Sequence, residues 1–156
     1  MSCREAVEAF FAYWSVQDVE LACALFDTNI VYRRHVASND ILFGGEWSGI
    51  DACRQAMFSL LEEFDYLYYN PTILGAKRGM VRAHVAFKYR HRRTGGILEG
   101  TRRLVFHVKG DRILRIDSYH DARLVEAFMR LTKYRLESDQ HAKVSELPTR
   151  EKQRST

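Results

Sequence analysis

The run Val81-Arg82-Ala83-His84-Val85-Ala86-Phe87-Lys88-Tyr89-Arg90 alternates two kinds of position over its whole length. Successive strand side chains point to opposite faces. Val81, Ala83, Val85, Phe87 and Tyr89 therefore share a buried face, and Arg82, His84, Lys88 and Arg90 a wetter one. Working outward, Thr94-Gly95-Gly96 turns the chain into a second strand from Leu98 to Lys109. Gly110-Asp111 makes a tight hairpin into a third, from Arg112 to His120. On the other side, Lys77-Arg78-Gly79 is a turn from a strand over Tyr66 to Ala76, where Pro71 marks an edge or a bulge. Four strands in three hairpins predict an antiparallel sheet.

The flanking segments change to helical period. Val7, Phe10, Phe11 and Trp14 form one stripe over Arg4 to Trp14. Asp18 is a good N-cap for a short helix carrying Val19, Ala22, Cys23 and Phe26. Asp27-Thr28-Asn29 reads as a turn into a short strand, Ile30 to His35. Ala37 to Trp47, with Ser38-Asn39-Asp40 and Gly44-Gly45, reads as a loop, and Asp40 falls where a lid over a site would lie. Ser48 and Asp51 resemble a capping box before a helix with Cys53, Ala56, Met57, Leu60, Leu61 and Phe64 on one side. Asp121 caps a last helix with Leu124, Val125, Phe128 and Leu131 inward. Residues 1–134 form one domain in this reading, and 135–156 a polar tail. Helices segregated from a hairpin sheet must cover one of its faces, which makes the class α+β.

Composition narrows the function. The chain has 156 residues, 46% of them hydrophobic, enough for a core that buries roughly 70% of the unfolded chain's surface. No apolar run reaches the length of a membrane span, and the first residues lack the apolar block of a signal peptide. Cys3, Cys23 and Cys53 form no CxxC pair, which predicts free thiols and a cytoplasmic location. The six histidines show no metal-ligand spacing. There is no Gly-rich phosphate loop or nucleophile elbow, so no metal and no cofactor is assigned. Net charge is +4, with Lys88, Arg90, His91, Arg92, Arg93 and Arg103 gathered on one hairpin. Nucleic acid is a minor alternative there, because no aromatic residues interleave the cluster for base stacking.

Three stretches carry a family resemblance: Gln17-Asp18 through Leu25-Phe26, Gly45-Glu46-Trp47-Ser48-Gly49, and Val108-Lys109-Gly110-Asp111-Arg112 through Ser118-Tyr119-His120-Asp121. Their order and spacing resemble the ketosteroid-isomerase-like, or nuclear-transport-factor-like, superfamily and its SnoaL-like polyketide cyclase branch, over about residues 4–132. The resemblance implies a cone-shaped, cystatin-type α+β roll. In it a curved, mainly antiparallel sheet and its helices enclose a small-molecule cavity, and the convex face often forms a homodimer. The isomerase positions for a tyrosine, an aspartate base and a second acid fall on Phe10, Arg34 and Leu104, which cannot do that acid–base work. Steroid isomerisation is therefore not expected.

Parity supplies the candidate site. If Leu98, Leu104 and Phe106 face inward, so does Arg102; Leu114 and Ile116 bring Ser118 and His120; Ile30 and Tyr32 bring Arg34. The catalytic candidates are His120 as acid or base, with Arg34 and Arg102 as oxyanion stabilisers. Tyr13, Tyr32, His35, Trp47, Phe87, Leu104, Phe106, Ile116 and Ser118 are the candidate ligand-binding residues. The expected ligand is small and anionic or carbonyl-rich, turned over by cofactor-free isomerisation, cyclisation or dehydration. The alternatives are binding without turnover, or a dimeric interaction module with Ile113, Val105 and Tyr119 on its convex face.

Overall fold

The computed structural model describes residues 1–35, 44–121, 123–128 and 130–133. Asp40 with its loop, and the expected tail over 135–156, lie outside the described residues. In chain order the elements are α1 (Cys3–Ser15), α2 (Val19–Cys23), β1 (Phe26–His35), β2 (Gly45–Ser48), α3 (Ile50–Glu63), β3 (Phe64–Lys77), β4 (Met80–His91), β5 (Ile97–Lys109) and β6 (Arg112–His120). Residues 123–128 and 130–133 are helical. The strands form one sheet in the order β2-β1-β6-β5-β4-β3. Every neighbouring pair is antiparallel except β1 with β6. The architecture is the expected α+β one, a curved sheet open at its β2 and β3 edges with helices over its inner face.

The alternating run became β4, and Val81, Ala83, Val85, Phe87 and Tyr89 are all buried. Above them α1 lays down Val7, Phe10, Phe11 and Trp14. Phe106 of β5 meets the edges of Phe10 and Phe11, with ring centroids 5.5 and 5.4 Å away. Edge-to-face rings at this spacing add to simple area burial. The entry angle of α1 is fixed by a capping box: Ser2 Oγ accepts from the Glu5 N–H, and Glu5 Oε1 accepts from the Ser2 N–H. Asp18 caps α2 through the Leu21 N–H. Asp121 Oδ1 accepts from the N–H groups of Arg123 and Leu124, the capping role expected for it.

The fold departs from the sequence reading at several points. Asp27-Thr28-Asn29 is not a turn before the strand but part of β1. A register shift between Phe26 and Val31 absorbs it, and the Asp27 carboxylate accepts the Asn29 N–H. Gly45 to Trp47 is strand β2 rather than loop, because the edge of β1 was open to pairing. The N-cap of α3 is Gly49, at φ 89° and with no side-chain cap, while Asp51 bonds Arg54 instead. Leu131 is exposed and Thr132 is buried in its place. Ile113 is not a convex-face residue: a register shift between His107 and Val108 turns it into the core, where it is fully buried. Pro71 does sit on an edge strand.

The central ring cluster generates a stability prediction. Phe106→Ala should lower unfolding free energy by about 3–5 kcal/mol, read from the urea midpoint at unchanged m-value.

Candidate functional site

The parallel β1–β6 ladder brings the polar groups together. Arg34 is in register with Ser118, Tyr32 with Ile116; across β6, Arg102 is in register with His120 and Leu104 with Ser118. Arg34, Arg102, Ser118 and His120 thus occupy adjacent places on the inner face, among apolar neighbours.

Two guanidiniums dominate this region. Arg34 is 4% exposed. Its Nε donates to Tyr32 Oη at 2.9 Å and its Nη2 to the Ala56 carbonyl on α3 at 3.2 Å. Its Cζ lies 4.6 Å from the Trp47 ring centroid and 5.0 Å from that of Tyr32, a cation–π arrangement that eases the loss of water. Arg102, also 4% exposed, donates from Nη2 to Tyr69 Oη at 3.3 Å. Its Nε and the Ser118 Oγ are buried with no hydrogen-bond partner among the described residues. Buried polar atoms are normally satisfied, so these two stand out in the interior.

The electrostatics follow from burial. His120 lies beside the edge of Phe87; burial, then the charges of Arg102 and Arg34, hold its imidazole well below its ordinary pKa. It is neutral at physiological pH and only a weak base there. Tyr32 moves in the less usual direction. Burial raises its pKa, but the charges and hydrogen bonds of Arg34 and Arg102 outweigh that and leave the phenol below its ordinary value. Tyr66, Tyr69 and Tyr89 stack beside it and shift upward, chiefly through burial. Among the described residues neither the Tyr66 nor the Tyr89 hydroxyl reaches a partner in bonding geometry.

A cavity of about 20 Å³ is lined by Phe10, Trp14, Tyr32, Tyr69, Arg102 and Leu104, with Phe26, Met57 and Ile116 completing it. That volume suits about one water molecule, so a larger occupant requires the lining to move. Phe87 and Phe106 are buried on the same face, and Trp47 covers Arg34. Two expected ligand-binding residues are elsewhere. Tyr13 packs partly buried against the core, because α1 turns Phe10 and Trp14, not Tyr13, toward the cavity. His35 is on the outer face, one residue beyond inward Arg34. There it stacks on Tyr119 at 4.3 Å and its Nε2 lies 2.7 Å from Asp117 Oδ1. Arg115 forks onto the same carboxylate at 2.8 and 3.1 Å. Burial opposes ionisation of Asp117, but the bonds from Arg115 and His35 prevail and lower its pKa.

Tyr66 and Tyr69 were missed by the sequence reading. Strict alternation sends residues three apart to opposite faces, but a register shift between Tyr66 and Tyr68 turns both inward. The usable signal was the density of aromatic residues just before Pro71. The outer basic hairpin is also weaker than its composition. Arg90 and Arg92 both pair with Asp65, and His91 turns in to Glu63 and Thr94. Among the described residues no group of His, Cys, Asp and Glu is placed to hold a metal, and no helix is long and apolar enough to cross a membrane. The Cys23 and Cys53 thiols are buried, which pushes each up to about 11.

The comparisons with known proteins agree on the fold. A family model described as a SnoaL-like domain matches residues 7–116. No curated protein matches the chain. Among solved structures, an NTF2-like protein from Burkholderia thailandensis E264 is 21% identical with a TM-score of 0.71, over 83% of this chain and 98% of that one. TerC co-crystallised with polyporic acid is 12% identical with a TM-score of 0.72, over 82% and 98%. A protein of ketosteroid-isomerase-like fold from Catenulispora acidiphila DSM 44928, in complex with trimethylamine, is 16% identical with a TM-score of 0.60, over 75% and 85%.

The environment of His120 sets a pH expectation. Its folded pKa lies below the unfolded value, so the unfolded chain takes up a proton that the folded chain refuses. Stability should fall as pH drops below 6.5. In NMR titrations the His120 ring signals should stay flat through that value, and Arg102→Met should move their titration upward.

Proposed function

Because residues 7–116 match its family model, this chain belongs to the SnoaL-like domain family, and on that premise we propose that it binds a small anionic or carbonyl-rich molecule inside the sheet. We further propose that it moves protons on that molecule without a cofactor, by isomerisation, cyclisation or dehydration. The observation that carries this reading is the pair of buried guanidiniums, Arg34 and Arg102, with no ion-pair partner among the described residues. Buried charges are ordinarily paired. A carboxylate or enolate beside Arg102 Nε and Ser118 Oγ supplies the missing acceptor through charge-assisted bonds. The same donors stabilise negative charge as it develops on a carbonyl oxygen, and neutral His120 accepts a proton. The acidic ligand of the structurally similar TerC fits the same chemistry.

Binding without turnover is the second reading, supported by the depressed basicity of His120 and the small cavity. The family's convex-face pairing extends the proposal to a homodimer in the cytoplasm, with Val105 and Tyr119 on its outer face.

Two measurements test these readings. Benzoate should raise the thermal midpoint of the protein, and Arg102→Met should weaken its binding more than tenfold while Lys88→Met leaves it unchanged; equal binding by the Arg102 variant removes the interior anion site. Light scattering should give twice the monomer mass, and a monomer at micromolar concentration removes the dimer.

A further inference from the structure

Removing two permanent cations from water demands a compensating negative charge nearby. On the inner face the described residues offer no carboxylate to Arg34 or Arg102. Trp47 and the phenol rings supply only their quadrupoles. The acidic groups within reach are phenols, one thiol and one imidazole. From α3 comes Cys53, whose thiol burial pushes up to about 11. From β3 and β4 come Tyr66, Tyr69 and Tyr89, all shifted upward. From β6 comes His120, held neutral. Helix α1 contributes only Phe10 and Trp14 to the same cavity.

Tyr32 and Tyr69 each accept from one buried guanidinium, but the bond to Tyr32 is the shorter, 2.9 Å against 3.3 Å. The donor to Tyr32 Oη is Arg34 Nε. The Tyr32 side chain and that of Arg102 line the same cavity, and both guanidiniums act on the phenol. A phenol accepting charge-assisted bonds is stabilised as phenolate.

We propose that Tyr32, bonded by Arg34 and sharing its cavity with Arg102, is a second proton-transfer group of this site beside His120, and that its ligands are weak carbon or oxygen acids such as enolisable β-dicarbonyls and phenols. As phenolate, Tyr32 supplies the interior counter-charge. When such an acid enters the cavity, its C–H or O–H bond breaks and the electron pair stays on the ligand. The proton goes to Tyr32 Oη, and the ligand anion takes the open donors at Arg102 Nε and Ser118 Oγ. Total charge in the interior is conserved, so no bulk counter-ion need follow. Return of the proton to a different atom of the ligand completes an isomerisation. The class of ligand rests on the interior-anion reading above; the ionisation of Tyr32 in the empty protein does not.

The test is a pH titration of the near-ultraviolet tyrosinate absorbance, supported by NMR of tyrosine labelled at the ring Cζ. One of the eight tyrosines should ionise below the ordinary value of 10.0. Tyr32→Phe should abolish that step, and Arg34→Met should move it upward. Folding of each variant is checked by circular dichroism, and Tyr69→Phe, which leaves Tyr32 in place, should retain the step. If no tyrosine titrates below 10.0, or if the low step survives in Tyr32→Phe, the assignment is overturned. Acetylacetone then serves as the probe acid. The wild type should bind it as enolate with its characteristic absorbance, and Tyr32→Phe should lose at least tenfold in enolate formed. A low-titrating Tyr32 in a protein that neither binds benzoate nor forms the enolate supports the phenolate and overturns the ligand class together with the interior-anion reading.

Discussion

A strand that buries Ile30 and Tyr32 beneath helices must carry Arg34 into the same space, because its side chains alternate. The same rule on β5 takes Arg102 inward between Gly100 and Leu104. Once α1 and α3 cover the sheet, these cations cannot return to water without unpairing the strands. The rest of the interior is organised around that constraint: Trp47 lies over Arg34, Tyr32 and Ala56 accept its hydrogen bonds, and Tyr69 accepts from Arg102. Aromatic faces and a few oxygens soften the cost of burial without cancelling the charge.

The uncancelled charge lowers the pKa of two neighbouring groups, favouring the neutral form of one and the anionic form of the other. His120 and Tyr32 feel the same two cations. For an imidazole, nearby positive charge and burial act together and suppress protonation. For a phenol they oppose each other, and at Tyr32 the cations win. The outer face resolves its charge differently. There Asp117 collects Arg115 and His35, and Asp65 collects Arg90 and Arg92, so these four groups find carboxylates. Carboxylates within reach outside and none within reach among the described residues inside set the two faces apart.

Belonging to the SnoaL-like family fixes the frame but not the chemistry, since one fold hosts many reactions. Phe10, Arg34 and Leu104 occupy inner positions, and none of them supplies the acid or base that steroid isomerisation needs. Function here has to be argued from Arg34, Arg102, Tyr32, Ser118 and His120 themselves.

Much was determined by the sequence alone. The alternation from Val81 to Tyr89, the Gly-containing turns, the stripe on α1 and the caps at Asp18 and Asp121 are local signals, and local propensity agreed with the global fold at each. Parity also sent Arg34, Arg102, Ser118 and His120 inward, because that inference needs only one strand at a time. What needed tertiary structure was every feature that depends on pairing. Gly45 to Ser48 is a strand only because β1 offers an edge. Tyr66, Tyr69 and Ile113 face inward only because register shifts break strict alternation. The cavity's lining, the bond from Arg102 to Tyr69 and the pairing of His35 with Asp117 arise between elements distant in the chain, where packing, not the period of any one segment, decides which groups meet.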